Sequence, residues 1–287
     1  MRTMIMMGRL VLFFSLLASP IRVNASDSVG TFAWLSDAHF DHFYGSPSAE
    51  VHKTGAPCAQ ADAPPFSAYG CGSSLPLVEA AVKTAAEVSD DLDFVLFTGD
   101  SARHDAQDGA VVLDAIGKVQ GLFEKYFPDT QIVELPAMDL GNNDLMGDYY
   151  LNVTSHEPCL PGDDGSLPVA TNKWLQVVAE QQSYSFTTDL EKATFACGGY
   201  LNRKVNEDLH IIVLNTIIWC LKHTPVATGL DAADPFGQFE WLVKQLSDLR
   251  DAGKRVYITG HVPPSEYLPL QIVNCLKVLR NFVEWSS

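Results

Sequence analysis

Apolar residues in this chain gather in short blocks that alternate with longer stretches of helical spacing. Thr31 to Ser36 reads as a brief apolar strand ending in Asp37, and Phe94 to Thr98 as a second one ending in Gly99-Asp100. Between them Leu77, Val78, Ala81, Val82, Ala85 and Val88 recur at helical spacing. These segments form a β-loop-α-β unit, which predicts parallel pairing of the two strands through a right-handed crossover. Further strands are expected at Ile132 to Ala137, His210 to Asn215 and Arg255 to Thr259, and helices at Gly109 to Tyr126, Asn172 to Gln181 and Gln238 to Asp251. Elements alternating in this way predict a layered α/β fold. Gly45 to Ser74, rich in Pro, Gly, Ser and Ala, is expected to be an irregular loop, and no internal repeat is visible. From Leu268 to Val283 the apolar residues suggest a last helix.

The N-terminus changes the picture of where the chain works. Arg2 and Arg9 precede the apolar run Val11 to Leu17, and Val23-Asn24-Ala25 precedes Ser26 as a small-x-small cleavage pattern. Residues 1–25 are expected to be a secretory signal and 26–287 one domain, with no transmembrane anchor in the mature chain, because the run is shorter than the roughly 20 apolar residues a span needs. The formal charge is −16, and losing Arg2, Arg9 and Arg22 with the signal takes it to −19, which argues against nucleic acid as a partner. An anionic substrate requires a local reversal of that field, and bound divalent cations supply one. In an oxidising route, Cys58, Cys71, Cys159, Cys197, Cys220 and Cys275 are disulfide candidates rather than metal thiolates. Asn152-Val153-Thr154 is a candidate glycosylation sequon.

Candidate chemistry sits where the expected strands end. Asp37 and His39 follow the first, Asp100 the second, Asn142 the Pro136 to Leu140 segment and His261 the last. In open α/β sheets ligands gather at that carboxyl edge. Carboxylate, imidazole and amide without thiolate suit two divalent metal ions, zinc foremost, with manganese, iron or magnesium as alternatives. Each motif alone is common as a turn; their ordered recurrence after apolar strands marks a site.

Asp37-Ala38-His39, Gly99-Asp100, Gly141-Asn142-Asn143-Asp144 and Gly260-His261 resemble the ordered blocks of calcineurin-like metallophosphoesterases. Thr98 to Asp105, Gln238 to Leu242 and Thr259 to Pro264 resemble the acid sphingomyelinase and endopolyphosphatase branch, over about residues 30 to 265. The resemblance implies a metallophosphoesterase-type β-sandwich flanked by helices, with Asp37 and His39 on one metal, Asp100 bridging, and Asn142 and His261 on the second. It also implies that His104 protonates the leaving oxygen and that Cys58 pairs with Cys71. His104 has a second reading, as a structural histidine held by Asp105.

Two departures accompany the resemblance. Asn143 stands where many relatives carry a proton-transferring His, and a Gly-His-x-His-like block expected beyond Gly260-His261 has no counterpart before Ser287. Final strands are accordingly expected to be missing, as in a truncated product. The implied activity is metal-dependent hydrolysis of a phosphodiester or phosphoanhydride bond in a phosphorylated small molecule, lipid or polyphosphate, by a protein that is secreted or lies in the lumen of a vacuole or lysosome. The alternative is a non-catalytic pseudoenzyme that binds a phosphorylated ligand.

Overall fold

A computed structural model describes residues 31–88, 92–128, 140–182 and 185–282. The expected signal segment and the expected strand Ile132 to Ala137 lie outside the described residues. Among those described, five strands and seven helices make a mixed α/β fold with two sheets.

The first sheet is the expected β-loop-α-β unit. β1 (Phe32–Leu35) and β2 (Phe94–Phe97) pair in parallel, Phe32 opposite Phe94 and Leu35 opposite Phe97. All four residues of β2 are buried, as a strand covered on both faces must be. Between them α1 (Leu75–Glu87) starts where the Ser74 hydroxyl accepts the Leu77 N–H, and buries Val78, Val82 and Ala85. α2 (Gly109–Tyr126), capped by Asp108, buries Val112, Ala115, Ile116, Val119 and Phe123 on one stripe.

The second sheet has the order β3-β4-β5. β4 (Leu209–Leu214) runs antiparallel to β3 (Leu201–Lys204) and parallel to β5 (Arg255–Gly260). β3, which follows Gly198-Gly199-Tyr200, is a strand not among those expected. Its Leu-Asn-Arg-Lys sequence hides it from an apolar-run reading, because Arg203 is buried through an ion pair with Glu191 rather than through apolar character. α3 (Lys173–Gln181), α4 (Asp189–Gly198), α5 (Gly229–Ala233), α6 (Gln238–Asp251) and α7 (Pro269–Arg280) complete the described helices. α4 ends at Gly199, whose φ of 76° is the left-handed conformation of a helix cap. α7 packs on α6, burying Gln271, Cys275 and Val278.

Two disulfides close the loops, Cys58 to Cys71 and Cys159 to Cys197. Cys220 and Cys275 are buried thiols, so not every cysteine of this chain is paired. No described helix is long and apolar enough to cross a membrane.

Candidate metal centre

The parallel ladder of β1 and β2 continues past both strands. The Asp37 N–H donates to the Gly99 carbonyl at 3.0 Å, His39 to Asp100 at 2.9 Å and Phe40 to Ser101 at 2.8 Å. Two motifs distant in sequence thus run side by side. Asp37, His39 and Asp100 all hold positive φ, at 58°, 43° and 59°. Such a backbone is uncommon outside glycine and is concentrated at functional sites.

The Gly141–Asp144 turn packs on Asp100 from the other side. Gly141 is required by close approach: a Cβ there would lie 2.0 Å from Asp100 Oδ1 and 2.1 Å from its backbone nitrogen. The buried Asp144 carboxylate accepts N–H groups from Asp100 at 2.9 Å, Ser101 at 2.8 Å and Gly141 at 3.0 Å. Burial and the neighbouring Asp100 charge push its carboxyl up to about 6. Asn143 donates its backbone N–H to Asp100 Oδ1 at 2.9 Å and its amide to Oδ2 at 2.8 Å. Its place in the site is to hold the Asp100 carboxylate still.

His261, just beyond β5, enters from the second sheet. Its Nδ1 lies 2.7 Å from the Thr98 carbonyl, which can only accept, so Nδ1 carries the proton and Nε2 turns to the centre. There it meets Asn142 Oδ1 at 3.1 Å and Asp100 Oδ1 at 3.5 Å. The Asn142 amide N–H is taken by Asp148, so its oxygen is the atom presented inward. On the opposite side His39 Nε2 is 3.5 Å from both Asp37 Oδ1 and Asp100 Oδ2.

These separations test whether the residues fit metal ions. Metal–ligand bonds near 2.0–2.2 Å at tetrahedral angles place neighbouring donor atoms about 3.4 Å apart. The contacts at 3.5 Å are too long for hydrogen bonds and match that edge. With Nδ1 given to the Thr98 carbonyl, the His261 Nε2, the Asn142 oxygen and the Asp100 carboxylate are all free to serve as ligand atoms, and a divalent cation between them would satisfy all three. Asp100 offers one oxygen to each imidazole, the shape a bridging ligand takes. The donor set therefore fits two divalent metal ions.

The electrostatics agree. Burial pushes the Asp37 carboxyl up, but the His39, Ser36 and His261 side chains near it outweigh this and hold it at about 2. For His39 burial acts downward, and Asp37, Asp100 and Glu50 reverse this and raise it.

His104 lies beside this cluster, its ring stacked on His39 with centroids 4.0 Å apart. Its Nδ1 is 2.8 Å from Glu50 Oε1, so Glu50, not Asp105, is the carboxylate that holds it. Sequence reading missed Glu50, because it sits in the irregular loop with no motif around it. Lys222, Tyr149 and Asp148 line the same cleft and were likewise invisible, since nothing in their sequence spacing signals that the fold delivers them there. Asn152 is exposed, and the carbonyl of the same residue accepts the Asn172 amide.

Carboxylate, imidazole and amide donors gathered at strand ends of an α/β scaffold define a candidate metal centre. No protein-family model matches the chain. Curated relatives do: an endopolyphosphatase of Neurospora crassa is 30% identical over 263 residues, 86% of this chain and 33% of that protein. The human acid sphingomyelinase-like phosphodiesterase 3b is 29% identical over 82% of this chain and 48% of its own length, and a human cyclic GMP-AMP phosphodiesterase 28% over 86% and 50%. Over most of its length the chain is homologous to these endopolyphosphatase and acid sphingomyelinase-like proteins. It spans between a third and a half of their length.

Proposed function

We propose that this chain hydrolyses a phosphodiester or phosphoanhydride bond with two divalent metal ions, Asp37 and His39 on one, Asn142 and His261 on the other, and Asp100 bridging. The observation that carries this is the convergence of two imidazole nitrogens, one on each oxygen of Asp100, at 3.5 Å. Nitrogen and oxygen donors without thiolate favour zinc, with manganese, iron or magnesium as alternatives. When bound, such ions neutralise phosphoryl charge and make a water nucleophilic near neutral pH.

The chain's own residues do the rest. Thr98 holds the His261 tautomer, Asp148 turns the Asn142 oxygen inward, and Asn143 with Asp144 keeps Asp100 and its strained backbone in place. His104, held at Nδ1 by Glu50 and about two-fifths exposed to the cleft, is placed to give a proton to the departing oxygen. Asn143 is spent on Asp100, and its amide transfers no proton to substrate.

The substrate is a phosphorylated small molecule, lipid or polyphosphate, the range covered by the names of the relatives. The disulfides support passage through an oxidising route, with the protein secreted or in an acidic lumen, the N-terminal signal removed and Asn152 glycosylated. The test is metal content together with hydrolysis of a generic aryl phosphodiester, polyphosphate and sphingomyelin by wild type and Asp100→Asn. The variant is expected to lose bound metal and at least about 100-fold in turnover, because a ligand matters no less than its outer-shell support. Equal turnover by the two proteins would overturn the reading, and metal binding without any turnover would assign a binding role instead.

A further inference from the structure

Beside the dinuclear centre, a second set of donors converges on one carboxylate. Glu50 Oε1 lies 2.8 Å from His104 Nδ1 and 3.3 Å from His52 Nε2, and the donor atoms of the three residues all lie within 4.8 Å of one another. The two imidazoles meet nearly perpendicularly, with ring centroids 5.0 Å apart and an interplanar angle of 86°. Two planar donors at right angles about one oxygen describe a coordination corner rather than a ring stack.

The Glu50 side chain is only 8% exposed, and its Oε2 has no hydrogen-bond partner. A buried carboxylate with an unused oxygen is costly unless a positive charge balances it. Arg103, the guanidinium of this neighbourhood, is already committed to Asp41 at 2.9 Å and to the Ser48 carbonyl at 2.8 Å.

The three donors are also held in place. The Glu50 N–H donates to Asp41 Oδ2 at 2.6 Å and the His52 N–H to the Gly70 carbonyl at 2.7 Å, while Val51 bridges to Cys71, itself bonded to Cys58. His104 is fixed from the other side by its stack on His39. Preorganised ligands of this kind bind metal without a folding cost. His52 and His104 are about two-fifths exposed toward the cleft, which leaves room for water in the remaining coordination positions.

From this geometry we propose a further divalent-cation site, separate from the dinuclear centre, formed by Glu50, His52 and His104 and suited to zinc. Two imidazoles and one carboxylate with an open position are a donor set zinc accepts. A cation there ties the 45–74 loop to the segment after β2. It also occupies His104 Nδ1, the atom through which Glu50 positions that ring. Given the leaving-group role proposed above, zinc at this site slows turnover while the dinuclear centre stays filled.

The full-length protein, first loaded with its tight metals, is titrated with zinc, and bound metal is counted by equilibrium dialysis and elemental analysis. Wild type takes up one zinc more per chain than His52→Ala or Glu50→Gln, each of which binds that ion at least about 10-fold more weakly. Thermal melts without added zinc confirm that both variants fold. Equal zinc uptake by wild type and two folded variants overturns the site. In parallel, hydrolysis of an aryl phosphodiester is measured across the titration, each protein relative to its own rate at low zinc. Inhibition of wild type but not of His52→Ala supports both the site and its consequence. Extra uptake without inhibition supports the site and removes the leaving-group role of His104. The dialysis count stands even if the protein turns over no substrate.

Discussion

The carboxyl ends of β2 and β4 invite comparison. Both strands are buried apolar runs followed at once by polar residues, Gly99-Asp100 in one case and Asn215-Thr216 in the other. At β4 the polar groups are largely spent on the protein. The Asn215 amide donates to the Gly198 carbonyl at 3.0 Å, its backbone exchanges hydrogen bonds with Gln238, and Thr216 accepts the Val262 N–H. At β2 the Asp100 backbone is in the left-handed region and its carboxylate oxygens face two imidazoles beyond hydrogen-bond reach. The same local pattern makes a structural knot in one place and a candidate metal centre in the other. What separates them is whether the acceptors are left facing each other.

The sharpest way to break that difference is Gly141→Ala. The added methyl would collide with Asp100 Oδ1 and with its backbone nitrogen, so the Asp100 carboxylate has to move. Loss of more than about 100-fold in turnover and of bound metal is expected, with about 1–3 kcal/mol of destabilisation from overpacking. Elemental analysis and denaturant unfolding check both parts.

Next in size is Asp144→Asn, which trades a carboxylate receiving N–H groups from Asp100, Ser101 and Gly141 for an amide. Metal affinity is expected to fall by about 10–100-fold with the fold retained. Unchanged affinity in a metal titration would show that the turn does not govern Asp100.

Asn215→Ala should sort the other way. It removes the hydrogen bond to Gly198 in a buried setting and should cost about 1–3 kcal/mol of stability, while the metal content of the folded protein stays at the wild-type value. A parallel loss of metal would mean that the β4 end belongs to the site.

The smallest effect concerns the buried His223, whose Nε2 lies 2.7 Å from the Leu151 carbonyl. Burial lowers its pKa, with the Leu151 hydrogen bond acting in the opposite sense. The unfolded chain therefore binds the proton more readily than the folded one. This contribution to stability is full above the unfolded value near 6.5 and is lost as pH falls through it. Unfolding midpoints at pH 7.5 and 5.5 should differ less in His223→Gln than in wild type.

Against these contrasts, the legibility of the chain divides cleanly. Long amphipathic segments such as Gly109–Tyr126 and Gln238–Asp251 declare themselves through apolar periodicity, and β1 with β2 through apolar runs closed by punctuating residues. β3 does not, because its burial depends on an ion pair between Arg203 and Glu191 that only the fold creates. Likewise Asp37, His39, Asp100, Asn142 and His261 stand out as polar residues placed after strands. Glu50, His52 and Lys222 carry no such mark.

By itself, then, the sequence determined the long amphipathic helices, the parallel β-α-β unit and the identity of the candidate ligands, because these depend on periodicity and short-range chemistry. Tertiary structure alone decided which polar strand ends become a site. The ladder that lays Asp37 beside Gly99, the Thr98 carbonyl that turns the His261 ring, and the close approach of Gly141 to Asp100 all join residues distant in sequence. It also decided that Glu50 holds His104, since a carboxylate 54 residues away becomes a neighbour only when a disulfide-closed loop folds back over the strand ends.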